Sequence, residues 1–175
     1  MRKVILYISM SLDGYIARED GDISFLNAME QPGEDYGYLE FCKTVDTVII
    51  GRKSFDKVIS MGYQYPHTDK EVFIISGARS EGSGSFKYYS GSLKDLVEDL
   101  RSQPGKDIYC DGGASVANQL MEHNLIDEFI VSVVPVMIGK GIRLFRDGRP
   151  EMKIRLTDCK KFKTGLMQLH YERVK

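Results

Sequence analysis

Val48-Ile49-Ile50-Gly51-Arg52-Lys53-Ser54 and Ile108-Tyr109-Cys110-Asp111-Gly112-Gly113-Ala114-Ser115 are the two stretches whose reading decides the fold. Each runs an apolar, β-rich segment straight into a small or basic turn that opens a helix. A helix N-terminus carries unpaired backbone N–H groups and a partial positive charge, so it attracts phosphate. Glycine at such a turn lets the phosphate come close to the backbone. Two junctions of this kind in one small chain point to a ligand with two or three phosphates. Neither contains Gly-x-Gly-x-x-Gly, so the fold that holds a dinucleotide here is not the Rossmann type.

Working outward, the same strand-then-helix alternation recurs. Lys3 to Ser9 reads as a first core strand, Leu12 to Tyr15 as the turn after it, and Ile16-Ala17 as the lead into a polar loop. Apolar and aromatic residues at Tyr36, Leu39 and Phe41 predict a helix from Gly33 to Thr44. Strands follow at Thr47 to Ile50, Glu71 to Ser76, Phe86 to Tyr89, Asp107 to Cys110 and Ile126 to Val134. Helices are expected from Arg52 to Ser60, from an N-cap at Ser92 to about Arg101, and from Gly113 to His123. Lys153 to Phe162 and Leu166 to Val174 read as a closing hairpin around Lys163-Thr164-Gly165. The expectation is one α/β domain over residues 1–175, with a mainly parallel central sheet, flanking helices and a C-terminal antiparallel hairpin.

Composition narrows the function. A chain of 175 residues, 42% hydrophobic, can bury a sizeable core. Its 24 basic and 25 acidic residues give a net charge of −1, so no general attraction to nucleic acid is expected. Phosphate binding must come from locally placed Arg and Lys. Three cysteines and three histidines are scattered, with no Cys-x-x-Cys, which predicts reduced thiols and no metal site. The apolar run after Met1-Arg2-Lys3 is too short for a signal sequence and reads better as a strand. With no stretch of transmembrane length, a cytoplasmic protein with no membrane partner is expected.

Three segments bring chemistry. Gly51, Arg52, Lys53 and Ser54 supply a close-approach glycine, two cations and a hydroxyl, although an ordinary strand-to-helix turn with solvated charges would look the same. Gly112, Gly113, Ala114 and Ser115 leave bare backbone amides where a helix starts; a tight turn needing glycine only for its backbone angles is the competing account. Ile75-Ser76-Gly77-Ala78-Arg79 closes a buried strand with a hydroxyl and a cation. Ligands of open α/β sheets lie beyond the carboxyl ends of strands, so Arg79 is positioned for a 2′-phosphate, favouring NADPH over NADH. A surface arginine in a loop is the alternative.

Taken in order, Ser11-Leu12-Asp13-Gly14-Tyr15-Ile16-Ala17, Gly51-Arg52-Lys53-Ser54-Phe55, Ser76, Gly112-Gly113, Leu125-Ile126-Asp127-Glu128 and the run from Pro135 to Phe145 resemble the reductase domain of bacterial riboflavin biosynthesis. They are most similar to its stand-alone relatives with a dihydrofolate-reductase-like fold. The resemblance implies NADPH held between the two junctions. Gly51 to Ser54, Ser76 and Arg79 would take the adenosine-side phosphates, and Gly112 to Ser115 the pyrophosphate. Ser9 and Ile16 would flank the nicotinamide. It also implies a homodimer paired through the C-terminal strands.

Hydride addition to C=N or C=O leaves negative charge, which a nearby acid relieves. By resemblance Asp35 occupies the place of the substrate-side carboxylate of folate reductases, and Asp111 that of the acid before Gly-Gly in riboflavin-pathway reductases. For each, helix capping is the alternative. The chain departs from both relatives. It has no tryptophan, and no arginine lies between Lys53 and Ala78 where a folate tail would need one. It also carries no zinc motif and no deaminase segment. The expected activity is an NADPH-dependent reduction of a small heterocyclic (pterin- or pyrimidine-like) or carbonyl substrate. A non-catalytic NADPH- or nucleotide-binding module of the same fold is the alternative, and a flavin-handling or xenobiotic reductase a third reading.

Overall fold

A computed structural model of the chain describes residues 1–77 and 82–174. In chain order the strands are β1 (Val4–Ser11), β2 (Tyr15–Ala17), β3 (Val45–Gly51), β4 (Glu71–Ile75), β5 (Phe86–Tyr89), β6 (Asp107–Gly112), β7 (Glu128–Val134), β8 (Ile142–Arg143), β9 (Ile154–Lys161) and β10 (Met167–Arg173). The helices are α1 (Tyr38–Thr44), α2 (Arg52–Ser60), α3 (Leu93–Ser102) and α4 (Ala114–Glu122). Eight strands form one sheet in the order β5-β4-β3-β6-β1-β7-β10-β9. Neighbours from β5 to β7 are parallel, and β10 runs antiparallel to both β7 and β9. The mainly parallel sheet and the closing hairpin are as the alternation predicts.

Side-chain period explains why these strands are central. Val4 and Leu6, Ile49, Ile108 and Cys110 point into a core covered by α3 and α4. Ile5, Tyr7, Val48, Ile50 and Tyr109 point into a second core shared with Phe41 of α1. Strands covered on both faces need apolar residues at consecutive positions, and that is what β1, β3 and β6 carry. Ser92 caps α3 by accepting from the amides of Lys94 and Asp95. β9 lies at the sheet edge with all eight residues exposed.

Local structure departs from expectation in three places. The helix expected from Gly33 starts at Tyr38, because Gly33, Tyr36 and Gly37 all have positive φ (80°, 57° and 80°) and break helical geometry. Asp35 therefore lies ahead of α1 rather than on it. Ser24–Met29 forms an unanticipated 3-10 helix that buries Phe25 and Met29. Ile16-Ala17, expected to lead into a loop, belongs to β2, which pairs with β8.

The two ends of the sheet are finished differently. At the amino end, buried Arg2 binds Asp46, Thr47 and the Leu100 carbonyl, while Arg101 and Arg173 converge on Asp127. The carboxyl ends of β1, β3, β4 and β6 are left to form an open cleft. Among the described residues, no helix is long and apolar enough to cross a membrane.

Candidate active site

The cleft at the carboxyl ends has a volume of about 1510 Å³. Gly51, Arg52, Lys53 and Ser54 line it from the start of α2, and Ser76 from the end of β4. Gly113, Ala114 and Ser115 line it from the start of α4, and Ser9 and Ile16 from β1 and β2. Asp35 and Asp111 border the same space. Gly112 is buried just beneath it, and Arg79 lies outside the described residues.

The two junctions touch. The Gly113 amide donates to Ser54 Oγ at 3.0 Å. A Cβ on Gly113 would come within 2.6 Å of that oxygen, and one on Gly51 within 3.2 Å of Val116 Cγ2. Gly112 has φ +93°, in the left-handed region, and its peptide to Gly113 is cis. Glycine is thus required here for contact and for backbone angle. Neither α2 nor α4 has a side-chain cap on its first turn, which leaves amides at both N-termini for an anion. Arg52 is partly committed: it pairs with Asp56 at 3.3 Å and lies over the Tyr88 ring at 5.9 Å. Lys53 is exposed, with no ion pair to any described residue.

Tyr38, Tyr109 and Asp111 of the cleft lining are backed by the buried Tyr65 and His67. Asp111 accepts a hydrogen bond at each oxygen, from Tyr65 at 2.5 Å and from Tyr109 at 2.7 Å. Both tyrosines are buried, and burial reinforced by the charge of Asp111 pushes both phenols well up. Tyr38 Oη lies 2.8 Å from Nε2 of His67, whose ring makes T-shaped contacts with the rings of Tyr65 and Tyr109. His67 is itself buried, and desolvation lowers its pKa. Asp35 differs in kind. It is exposed, and its oxygens accept from the amides of Gly37 at 3.0 Å and Leu39 at 2.9 Å, which hold its carboxyl below the usual range.

Several supporting residues carry no motif signal. Asn118 of α4, buried, donates to the carbonyls of Ala114 and Leu144 and accepts from the Arg146 amide, tying the segment after β8 to the second junction. Gln168, 1% exposed, donates to Tyr7 Oη, Ser132 Oγ and the Tyr36 carbonyl. The segments Ser11 to Ala17 and Pro135 to Phe145 prove to be one unit. Asp13 accepts from the amides of Ile138 and Gly139, and the Leu12 amide donates to the Val136 carbonyl. Tyr109 was readable, since it precedes Asp111 by two residues and shares its strand face. Tyr65 and His67 arrive from a loop and were not.

Comparison with known proteins agrees with this architecture. The family described as the RibD C-terminal domain matches residues 72–168. The chain is 39% identical over 173 residues to the uncharacterized protein YwjB of Bacillus subtilis (strain 168), covering 98% of each, and 30% identical to YyaP of the same organism over 97% of this chain and 94% of that one. Its fold is similar to the crystal structure of a Shewanella sp. PV-4 protein named for riboflavin biosynthesis, with TM-score 0.90, 28% identity and 99% of each chain covered. It is also similar in fold, at TM-score 0.74 and 14% identity, to a Thermotoga maritima deaminase/5-amino-6-(5-phosphoribosylamino)uracil reductase, spanning 99% of this chain and 57% of that one.

Proposed function

The chain belongs to the RibD C-terminal domain family, and on that premise we propose that it is an NADPH-dependent reductase of a small heterocyclic (pterin- or pyrimidine-like) or carbonyl substrate. The cleft suits such a cofactor because two uncapped helix starts meet there, and a Cβ at Gly51, Gly112 or Gly113 would crowd the protein atoms that shape their turns. Gly51 to Ser54 with Ser76 and Arg79 would take the adenosine-side phosphates, and Gly112 to Ser115 the pyrophosphate. Ser9 and Ile16 would border the nicotinamide. Bound there, NADPH supplies the hydride.

The observation that carries the reading is the doubly anchored carboxylate of Asp111, set immediately before the phosphate-type turn. Tyr65 and Tyr109 both donate to it, and burial keeps their protons on the phenols, so they position the carboxylate and do not supply a proton. Asp111 in turn orients an N–H of the substrate or the water that delivers its proton. Asp35 is exposed, and the Leu39 and Gly37 amides hold its carboxyl below the usual range, so it stands ionised near neutral pH.

Fluorescence titration with NADPH, then loss of NADPH absorbance with a pterin, a pyrimidine and a quinone, tests the proposal. Turnover of one of them is the expected result. Tight NADPH binding without turnover of any would favour the binding-module reading. A homodimer is part of the same proposal: β9 exposes Ile154 and Leu156 along the sheet edge, and sedimentation should give twice the chain mass. A cytoplasmic setting suits three free cysteines, of which Cys159 is exposed.

A further inference from the structure

A second recess, of about 660 Å³, adjoins the main cleft, and Ser9, Leu26, Tyr36 and Leu166 line both. Its base is apolar, with Met29, Val134 and Leu166 all buried. Glu30 and Glu34 stand among its lining residues, and none of the described residues lining it is Lys, Arg or His. The shape is pinned: Glu34 accepts from the Tyr36 amide at 2.8 Å, and Tyr36 Oη donates to the Met29 carbonyl at 2.5 Å.

Among the residues that line this recess the charge is one-sided. Residues 19–42 contain seven Asp and Glu and no Lys, Arg or His. Three of the seven have partners: Glu19 with Lys140, Asp22 with Arg18 and Glu40 with Lys43. Asp20, Glu30, Glu34 and Asp35 form no ion pair with any described residue. The cations of the main cleft, Arg52, Lys53, Lys57 and Arg146, come from α2 and from the segment after β8. A cavity walled by one sign of charge over an apolar base concentrates ligands of the opposite sign and repels those of its own.

From this we infer the chemical class of the substrate's side chain. Resting on the reductase reading, the inference is that the ring lies near Ser9 and Tyr36 and sends an apolar substituent into the recess, ending in a protonated amine at Glu30 and Glu34. A phosphate or carboxylate is excluded from that position. The substrate named for the Thermotoga maritima protein, with its phosphoribosyl group, would therefore be a poor ligand here.

The test uses three ligands that share one pterin ring and differ only in the side chain: alkyl, aminoalkyl and phosphoalkyl. Calorimetry on the 175-residue chain reads their affinities with and without NADPH. The expected order is aminoalkyl, alkyl, phosphoalkyl, with the last at least about tenfold weaker than the first at low salt. Glu30→Gln combined with Glu34→Gln should close most of that gap while leaving the alkyl ligand within about twofold. A phosphoalkyl ligand that binds as tightly as the alkyl one overturns the inference, as does an order unchanged in the double variant. Ligand affinities without cofactor read the recess alone, whereas failure of NADPH to bind counts against the reductase reading, so the two failures are distinguishable.

Discussion

The two strand-to-helix junctions look alike in sequence and differ in how they are held. The first opens α2, a helix with no buried residue, so Arg52 and Lys53 stand in solvent and contribute charge. The second opens α4, which buries Ala114, Val116, Ala117, Asn118, Leu120 and Met121 in the main core. Its turn contributes shape: a left-handed Gly112, a Gly113 pressed against Ser54, and Asp111 fixed between two tyrosines. The comparison teaches that a peripheral helix can bring adjustable charge to a ligand, whereas a core helix fixes position. Substitutions at the second junction should therefore cost chemistry and stability, and those at the cations of the first, Arg52 and Lys53, should cost affinity alone.

The sharpest way to break this contrast is Asp111→Asn. We expect turnover to fall by about 100-fold, in the range for a positioned acid–base group, with NADPH affinity little changed in the fluorescence titration. A matching loss of NADPH binding would mean that Asp111 serves the cofactor turn and not the substrate. Next comes Gly112→Ala, which places a Cβ on a residue at φ +93° and 3.3 Å from Ile8 Cδ1. Denaturant unfolding should show a loss of about 1–3 kcal/mol. Gly113→Ala meets only a hydroxyl, so Ser54→Ala in the same chain should restore part of its loss; the Ser54–Gly113 hydrogen bond itself is worth about 1 kcal/mol.

At the first junction, Arg52→Ala with Lys53→Ala should weaken NADPH by about fivefold at low salt and less as salt rises, with the melting temperature unchanged. Arg52 is already paired with Asp56, which is why the expected loss is small. A large, salt-independent loss would make the first junction a positioning element like the second.

How much of this was legible follows from where the information lies. Apolar runs at consecutive positions identify β1, β3 and β6 as doubly covered strands, and the glycines mark both turns. Nothing in a tyrosine predicts φ 57° at Tyr36, so the start of α1 was misplaced by that residue and its glycine neighbours. Asp111 could be picked out beside its glycines. The residues that fix it could be found only in part, because Tyr65 lies 46 positions away and meets it through tertiary packing. The acidic rim is a string of ordinary surface residues in sequence, and becomes informative only once Glu30 and Glu34 share a recess.

The smallest expected effect concerns pH, and it tests whether the second junction is electrically joined to the aromatic wall. Burial lowers the pKa of His67 from its ordinary 6.5, while the negative charges of Asp111 and Asp69 oppose that shift and Lys70 adds to it. Below pH 6.5 the unfolded chain takes up a proton that the folded chain resists. The stability that depends on neutral His67 is therefore complete above about 6.5 and is lost as pH falls toward the folded value, at no more than about 1.4 kcal/mol per pH unit. His170, also lowered by burial but half-exposed, should add a weaker slope of the same sign. His67→Gln should flatten the main part of the profile. Asp111→Asn removes a charge that favours protonated His67, so the folded pKa should drop further and the loss should continue to lower pH. Arg52→Ala, on the first junction, should leave the profile where it was. If Asp111→Asn leaves it unmoved as well, the carboxylate is screened from the wall, and Tyr65 and Tyr109 hold it by geometry alone.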